Sequence, residues 1–163
     1  MKNMIALTGI GYDIHRFAEV PRPLMLGGVH MDGHSDADVL CHAIADALLG
    51  AAGLPDIGYW FPPGDPSCKD IPSLDIVAKA VSLIRERGGR IVNVDSSLIA
   101  ESPRISPYLE QMKGALGAAL GISPVRVGIK ATTNEQLGAL GRREGIAAFA
   151  VAAILMPEDL TMP

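Results

Sequence analysis

Hydrophobic and polar positions recur along the chain with the two periods typical of strands and of helices. Met4–Tyr12 predicts a first strand, and Leu24–Met31, which contains Gly27-Gly28, predicts a second strand paired with the first. Arg90–Ala100 predicts another strand. In Val125–Ala131, valines and an isoleucine alternate with arginine, glycine and lysine. Such alternation indicates a strand with one buried face.

Three segments carry apolar residues at the spacing of a helix. Ala37–Ala52 predicts a helix that Asp36 or Ser35 caps and that a glycine and a proline end. Ser73–Arg87 predicts an amphipathic helix capped by its first residue. Ser106–Gly121 predicts a third helix, opened by a Ser-Pro pair and closed by its glycine.

The last apolar segment, Gly145–Leu155, has no polar face and allows two interpretations. Its alanines favour a helix by propensity, whereas a strand buried on both sides is the rival. Asp56–Asp70 is rich in proline and glycine and predicts a loop. The whole is expected to be an α+β fold, with a mixed sheet of about four main strands, helices packed on one face and a small hairpin. A sheet face left uncovered would need a partner, which suggests an oligomer.

Composition narrows the class of protein. No repeat, low-complexity segment or linker divides the chain, so residues 1–163 are expected to form a single domain. The net charge of −4 and the lack of a basic patch argue against nucleic-acid binding, and the apolar runs are too short to span a membrane. Two cysteines and no export signal predict free thiols and a cytoplasmic location.

Three of the four histidines belong to two short clusters that suggest a metal site. In a strand, Asp13 and His15 point to the same face, so both can reach one ion. In the following helix, Asp38, His42 and Asp46 share a face, so His42 could be a third ligand and either carboxylate could hold its ring. Two imidazoles and one carboxylate leave a fourth position open, which is typical of catalytic zinc.

Each metal-site motif also has a structural interpretation. An isolated Asp-x-His is common, and a histidine in an apolar helix is usually a satisfied core residue. The clusters are informative because they occur together. Cys41, the neighbour of His42, points about 100° away from it on a helix and is not placed to be a ligand.

Phosphate-binding chemistry is suggested by a second set of residues. Lys130–Glu135 lies where a strand is expected to end, so hydroxyls and free backbone N–H groups there can hold phosphate, and Glu135 could hold a harder cation such as Mg²⁺. A capping box from Thr132 to Glu135 is the alternative. Arg142 lies in a glycine-rich loop and could bind an anion or remain a solvated surface residue. Asp56–Gly58 suits ribose hydroxyls or a plain turn.

Taken in order, these segments resemble 2-C-methyl-D-erythritol 2,4-cyclodiphosphate synthases, enzymes of the non-mevalonate isoprenoid pathway. The resemblance extends over nearly the whole chain, and its specificity lies in the joint pattern. The segments that carry it are Gly11-Tyr12-Asp13-Ile14-His15, Leu26-Gly27-Gly28, His34-Ser35-Asp36-Ala37-Asp38 with His42, Asp46-Ala47-Leu48-Leu49-Gly50, Asp56-Ile57-Gly58 with Phe61-Pro62, Asn93-Val94-Asp95, Lys130-Ala131-Thr132-Thr133 with Glu135, and Gly141-Arg142 with Glu144-Gly145.

The resemblance implies a homotrimer with active sites between subunits and sheets facing a central core. It implies Zn²⁺ on Asp13, His15 and His42, and Mg²⁺ or Mn²⁺ near Glu135. The implied substrate is 4-diphosphocytidyl-2-C-methyl-D-erythritol 2-phosphate. Its 2-phosphate attacks the β-phosphate, which closes a ring and releases CMP.

The resemblance also implies individual roles for residues of this sequence. Asp13, His34 and Thr133 would be catalytic. The substrate-binding residues would be Asp13, His15, His34 and Ser35 at the metal and methylerythritol end, Asp56, Ile57 and Gly58 at the ribose, Ala100, Arg104 (or Lys130) and Ala131 at the cytosine, and Thr132, Thr133, Glu135 and Arg142 at the phosphates.

Three positions depart from the family pattern. Pro63 stands where many relatives have an acidic residue, and Asp65 could take over that sugar contact. Ala139 stands where an aromatic residue often lines the central cavity of the trimer, which argues against an isoprenoid ligand there. Arg143 replaces a usual glycine and adds positive charge near Arg142.

Two other functional classes remain as rivals. Metallophosphoesterases also open with Asp-x-His on a first strand, but they need further histidines, and none follows His42 in this chain. A non-catalytic trimeric module with structural zinc is the second rival. Structural zinc sites usually have four protein ligands rich in cysteine, whereas this sequence offers three ligands and no placed thiol.

Overall fold

A four-stranded mixed sheet with helices on one face forms the body of the molecule. The computed structural model describes residues 3–20, 23–31 and 38–159. The strands are β1 (Met4–Arg16), β2 (Leu24–Leu26), β3 (Val29–Met31), β4 (Arg90–Ile99), β5 (Val127–Thr132) and β6 (Gly145–Pro157). The helices are α1 (Val39–Ala51), α2 (Ile57–Trp60), α3 (Ser73–Glu86), α4 (Leu109–Leu120) and α5 (Gly138–Gly141).

The main sheet has the strand order β1-β6-β4-β5. Strand β6 is antiparallel to both of its neighbours, and β4 is parallel to β5. The last apolar segment is therefore a strand, and the helix interpretation is wrong. Within this chain the strand is not buried on both sides, because Phe149 and Val151 are 54% and 46% exposed. Ala148, Ala150 and Ala152 are buried on the side of β6 that α1 covers. Pairing to two strands at once outweighs the helix propensity of these alanines.

The second predicted strand is instead a separate hairpin, so its predicted pairing with the first strand is wrong. Strands β2 and β3 pair with each other, and β1 pairs with β6. Gly27 and Gly28 form the turn with φ values of +56° and +75°. A two-residue hairpin turn with positive φ at both positions closely suits a Gly-Gly pair, which is the signal that the strand prediction overlooked.

The start of α1 differs from the prediction. The helix begins at Val39, and the side chain of Asp38 caps it by accepting from the N–H of Cys41. The proposed caps, Asp36 and Ser35, lie outside the described residues. Ser73 begins α3 but does not cap it, because Pro72 precedes the helix and the Ser73 hydroxyl donates to Asp38 at 3.3 Å.

Two further predicted elements are more structured than expected. The predicted loop Asp56–Asp70 contains the short helix α2 and a 3₁₀ turn at Pro66–Cys68. The third helix begins with a 3₁₀ turn at Ser106–Tyr108 before α4, and Gly121 ends it in the left-handed conformation. The capping box proposed at Thr132 is not present, since α5 begins only at Gly138.

Helix α1 lies unusually close to β1. A Cβ atom on Gly9 would collide with the carbonyl oxygen of Ala47, and one on Gly11 would collide with that of Ala43. Glycine is therefore required at both positions for this packing. This close approach places the first turns of α1 directly over the carboxyl-terminal half of β1.

The opposite face of the sheet carries exposed apolar side chains. Ile10 is 81% exposed, although an isoleucine is among the residues most often buried, and Tyr12, Ile14, Phe149 and Val151 are each about half exposed. The Tyr12 and Phe149 rings are in contact, with centroids 4.8 Å apart. In the part of the chain that the structure describes, no helix is long and apolar enough to cross a membrane.

Candidate active site

Asp13, His15 and His42 converge on one position at the end of the sheet. The Oδ2 atom of Asp13 lies 2.7 Å from Nε2 of His15 and 3.0 Å from Nδ1 of His42. One potential ligand atom from each residue lies within 4.8 Å of the other two. A carboxylate oxygen and two imidazole nitrogens at such distances form a donor set that fits a divalent cation such as zinc.

Two elements position this cluster. Asp13 and His15 alternate with exposed residues along β1 and face α1, as the strand period predicts. His42 lies in the first turn of α1, which the close contact at Gly11 holds against the strand. The prediction that these three residues meet is therefore confirmed.

The electrostatics keep the Asp13 carboxyl ionised. Its burial raises the pKa, but hydrogen bonds and charge interactions with His15 and His42 outweigh that effect and hold the pKa well below its usual range. All three side chains are only partly buried. The cluster thus offers an anionic oxygen and two nitrogens at a position that a ligand can reach from solvent.

Asp38 and Asp46 do not hold the His42 ring, so this part of the prediction is wrong. The Asp38 carboxylate is 1% exposed and accepts from the N–H groups of Gly27 and Gly28, at 2.9 and 2.7 Å. The Asp46 carboxylate accepts from the N–H of Ile57 at 2.9 Å. Each carboxylate thus ties α1 to a neighbouring segment, the hairpin turn in the case of Asp38 and the start of α2 in the case of Asp46.

The thiol of Cys41 plays no part in the cluster, as expected. Burial raises its pKa, and the adjacent Asp38 charge raises it further, so the thiol stays protonated. Cys41 is fully buried in the core, and both cysteines are free thiols.

A large open cavity of about 760 Å³ adjoins His42. Ile57 and Gly58 line it. Asp56 is not one of the lining residues; it caps α2 by accepting from the N–H of Tyr59. Asp65 also lines the cavity, and its carboxylate accepts from the N–H and the hydroxyl of Ser67. The cavity is lined by Asp38, His42, Ile57, Gly58, Phe61, Pro62, Pro63, Gly64, Asp65, Pro66, Cys68, Lys69, Asp70, Ile71, Ser73 and Ile76.

The predicted phosphate-binding residues lie at the ends of β4 and β5. The N–H of Ala100 donates to the carbonyl of Thr132 at 3.0 Å, which extends the parallel pairing beyond the strands. Thr132, Thr133 and Glu135 are exposed, and the Thr133 hydroxyl donates to Glu135 at 3.3 Å. Glu135 and Gln136 have φ values of 50° and 60°, a conformation that costs non-glycine residues about 1–3 kcal/mol each.

The basic residues predicted near this region are exposed and engaged with neighbours. Arg104 donates through Nε to the Ser106 hydroxyl at 3.2 Å. Arg142 donates through Nε to Glu144 at 2.7 Å. Lys130 pairs with Asp95 on the open face of the sheet. Ala131 is exposed, and Ala100 is buried beneath this segment.

The two groups of predicted site residues are separated within one chain. The carboxyl ends of β1, β4 and β5 lie at the same edge of the sheet, but β6 and β4 stand between β1 and β5. Three strand spacings, about 14 Å, therefore separate His15 from Thr132. His34 and Ser35, the remaining predicted site residues, lie outside the described residues.

Sequence reasoning missed Glu101 as a residue of this region. Its Oε1 atom accepts from the N–H of Asn134 at 2.9 Å and from the N–H of Gln136 at 3.1 Å. The available signal was a carboxylate just beyond the end of one predicted strand, beside the end of the parallel one. Both N–H groups are thus occupied by the protein, so within Lys130–Glu135 the N–H of Asn134 already has an acceptor.

The fold and the site together define an α+β enzyme with a candidate metal centre beside an open cavity. Comparison with known proteins resolves the class further. The YgbB family matches residues 6–155, and the chain belongs to this family.

Named relatives agree with this membership. The chain is 96% identical to the 2-C-methyl-D-erythritol 2,4-cyclodiphosphate synthase of Akkermansia muciniphila, and the match covers 100% of both chains. It is 56% identical to the enzyme of the same name from Symbiobacterium thermophilum, over 91% of this chain and 98% of the relative.

Solved structures show the same fold. The bifunctional IspDF of Campylobacter jejuni matches with a TM-score of 0.89 and 36% identity, over 94% of this chain and 43% of that longer one. A CDP complex of IspF from Plasmodium falciparum matches with a TM-score of 0.79 and 33% identity, over 94% of this chain and 97% of that one.

Proposed function

We propose that this chain converts 4-diphosphocytidyl-2-C-methyl-D-erythritol 2-phosphate into 2-C-methyl-D-erythritol 2,4-cyclodiphosphate and CMP. The observation that carries the proposal is the convergence of Asp13, His15 and His42 beside the cavity. The family membership of the chain and the names of its relatives support the same reaction. A solved relative with bound CDP supports a cytidine diphosphate-linked substrate.

The reaction needs positioning and charge neutralisation more than a strong base. An oxygen of the 2-phosphate forms a bond to the β-phosphorus, and the bond from that phosphorus to the α,β-bridging oxygen breaks. CMP leaves with the bridging oxygen. Because the nucleophile is already anionic, the protein must bring two negative groups together and spread the charge of the transition state.

In this proposal Asp13, His15 and His42 hold Zn²⁺, and Glu135 holds Mg²⁺ or Mn²⁺. Divalent cations bound there supply Lewis acids that neutralise phosphate charge. Thr132 and Thr133 are exposed at the end of β5. Their hydroxyls would donate to the diphosphate in place of their present acceptors, the Thr133 carbonyl and the Glu135 carboxylate. Asp13, Thr133 and His34 are the proposed catalytic residues.

The remaining proposed contacts divide by substrate part. Asp56, Ile57 and Gly58 hold the ribose beside the cavity. His34 and Ser35 hold the methylerythritol end, with Asp65 in place of the acidic residue that Pro63 replaces. Ala100, Arg104 and Ala131 enclose the cytosine, and Arg142 contributes positive charge near the phosphates.

A homotrimer with active sites between subunits completes the proposal. The uncovered sheet face presents Ile10, Tyr12, Phe149 and Val151, which a partner copy would bury. The separation of His15 from Thr132 within one chain gives a second reason. A neighbouring copy can bring its own β5 end to the metal cluster, so the site becomes complete at the interface. A single domain over residues 1–163 and a cytoplasmic location stay predictions.

Phosphorus NMR tests the function directly. The purified protein is mixed with the cytidine diphosphate-linked substrate, Zn²⁺ and Mg²⁺, and the products are followed with time. We expect a cyclic diphosphate and CMP to appear together and both to vanish on addition of a chelator. CMP accompanied by a linear phosphate product would identify a hydrolase, and no turnover with bound zinc would identify a binding module.

A further inference from the structure

The segment after β5 is held in place from the neighbouring strand. Glu101 lies two residues beyond the end of β4 and extends its carboxylate across to this segment. Its Oε1 atom accepts from the N–H of Asn134 and from that of Gln136. One oxygen thus fixes two N–H groups on either side of Glu135.

Those two bonds support a backbone shape that is unfavourable on its own. Glu135 and Gln136 are consecutive non-glycine residues in the left-handed conformation. The Asn134 carbonyl accepts from the N–H of Leu137 at 2.9 Å, and the Asn134 side chain donates to the Leu137 carbonyl at 2.8 Å, so the segment turns back on itself. Glu101 is the acceptor that ties this turn to the sheet.

We propose that Glu101 is a positioning residue, which sets the placement of Thr133 and Glu135 for the reaction through the N–H groups of Asn134 and Gln136. This inference rests on the proposed function. Thr133 and Glu135 also contact each other, through bonds of 3.3 Å from the Thr133 hydroxyl to the Glu135 carboxylate and from the Glu135 N–H to Thr133 Oγ1. Their relative placement is therefore coupled to the turn that Glu101 holds.

The role depends on an acceptor oxygen and not on the negative charge. A glutamine at position 101 keeps a carbonyl oxygen of similar reach, which can accept from the same two N–H groups. An alanine removes the acceptor and leaves both N–H groups to solvent. The negative charge of Glu101 would work against binding of an anionic substrate, so the role is assigned to its acceptor oxygen and not to its charge.

The experiment compares Glu101→Ala, Glu101→Gln and the control Glu110→Ala. Glu110 pairs with Lys113 on the exposed side of α4, so its loss removes a carboxylate without touching the turn. The first readout is amide hydrogen exchange of the metal-free full-length protein, which needs no substrate. The second is kcat and KM for cyclisation, measured across a Mn²⁺ titration, with circular dichroism as a check that each variant is folded.

We expect Glu101→Ala to speed exchange at Asn134 and Gln136 selectively and to lower kcat by about 10- to 100-fold, because catalysis is sensitive to displacements of about 1 Å. Its activation should also require more Mn²⁺, while Glu101→Gln and Glu110→Ala stay within a few-fold of the wild type in kcat.

Unchanged exchange at Asn134 and Gln136, or unimpaired kcat in folded Glu101→Ala, would overturn the positioning role. An equal loss in Glu101→Gln would also overturn it, because the charge would then matter and not the acceptor. A wild-type protein that makes no cyclic diphosphate would instead refute the proposed function, and the exchange data would still decide whether Glu101 holds the turn.

Discussion

His42 Nδ1 lies 3.0 Å from Asp13 Oδ2, although 29 residues separate them in the chain. The contact joins α1 to β1 and leaves the His42 ring only one-fifth exposed. His15 contacts the same oxygen of Asp13. The metal cluster is thus one of the points at which the helix layer and the sheet are joined.

The first prediction concerns His42. Replacing it with alanine removes one of three ligands, and we expect metal affinity and turnover to fall by about 100-fold or more, since even residues that merely support a ligand contribute 10- to 100-fold. The fold should persist, because the residues of α1 on either side of His42 are buried in the core independently of the metal cluster. Bound zinc measured by mass spectrometry and phosphorus NMR provide the test.

His30→Ala is the matched control for that variant. His30 is exposed on β3, outside the cluster, and its loss should leave metal content and turnover unchanged. Wild-type turnover in folded His42→Ala would refute the ligand assignment.

The second prediction concerns Gly11. In Gly11→Ala the new methyl group meets the Ala43 carbonyl, so α1 must move away from β1. We expect the free energy of unfolding to fall by about 1–3 kcal/mol in urea titrations. Zinc affinity should fall as well, because the shift carries His42 away from Asp13.

Gly114→Ala is a control in which the same substitution should have the opposite effect on stability. A Cβ atom at Gly114 in α4 meets no atom within 4 Å, so the substitution should stabilise the helix by about 0.5–1 kcal/mol. Equal effects of the two substitutions would show that the contact at Gly11 has no energetic importance.

The third prediction concerns Asp38. Its carboxylate accepts from three backbone N–H groups and one hydroxyl, so Asp38→Ala leaves several buried donors without a partner. We expect the free energy of unfolding to fall by about 3 kcal/mol or more in urea titrations. Asp38→Asn keeps one acceptor oxygen and should lose less. A loss as large in Asp38→Asn would mean that the charge matters more than the number of acceptors.

The fourth prediction concerns the pH dependence of stability. Burial raises the pKa of Asp46, with the charges of Asp56 and Asp13 adding to the effect and the Ile57 N–H opposing it. The ionised carboxylate therefore costs the folded state free energy above its raised pKa, and this cost vanishes below the ordinary pKa of an aspartate.

Asp46→Asn keeps an acceptor for the Ile57 N–H and removes the ionisation. In the metal-free protein we expect it to raise the urea midpoint near neutral pH, with a gain that shrinks as the pH falls through the titration range of a carboxyl group. A gain that does not change with pH, or a loss at neutral pH, would contradict the assigned cause.

The sequence alone predicted the placement of residues that follows from strand and helix periodicity. It did not predict contacts with residues far away in the chain. Asp13 and His15 share a strand face, and His42 lies in the helix that follows, so their meeting could be foreseen. The alanines of β6 fit a helix or a buried strand until their neighbours are known. The bonds that Asp38 accepts from the hairpin turn, and those that Glu101 accepts from the segment after β5, depend on donors 10 or more residues away, so local periodicity did not reveal them.

The close seating of α1 on the sheet has a consequence for how this chain tolerates mutation. Gly9 and Gly11 on β1 lie beside Ala152 and Ala150 on β6, and together they form a floor of the smallest side chains available. The small size of these residues sets the distance between α1 and the sheet, and therefore the distance between His42 and Asp13. Residues that do not contact the metal therefore control the geometry of its site. A single added methyl group among them would push α1 away from the sheet and change the affinity of the site for metal.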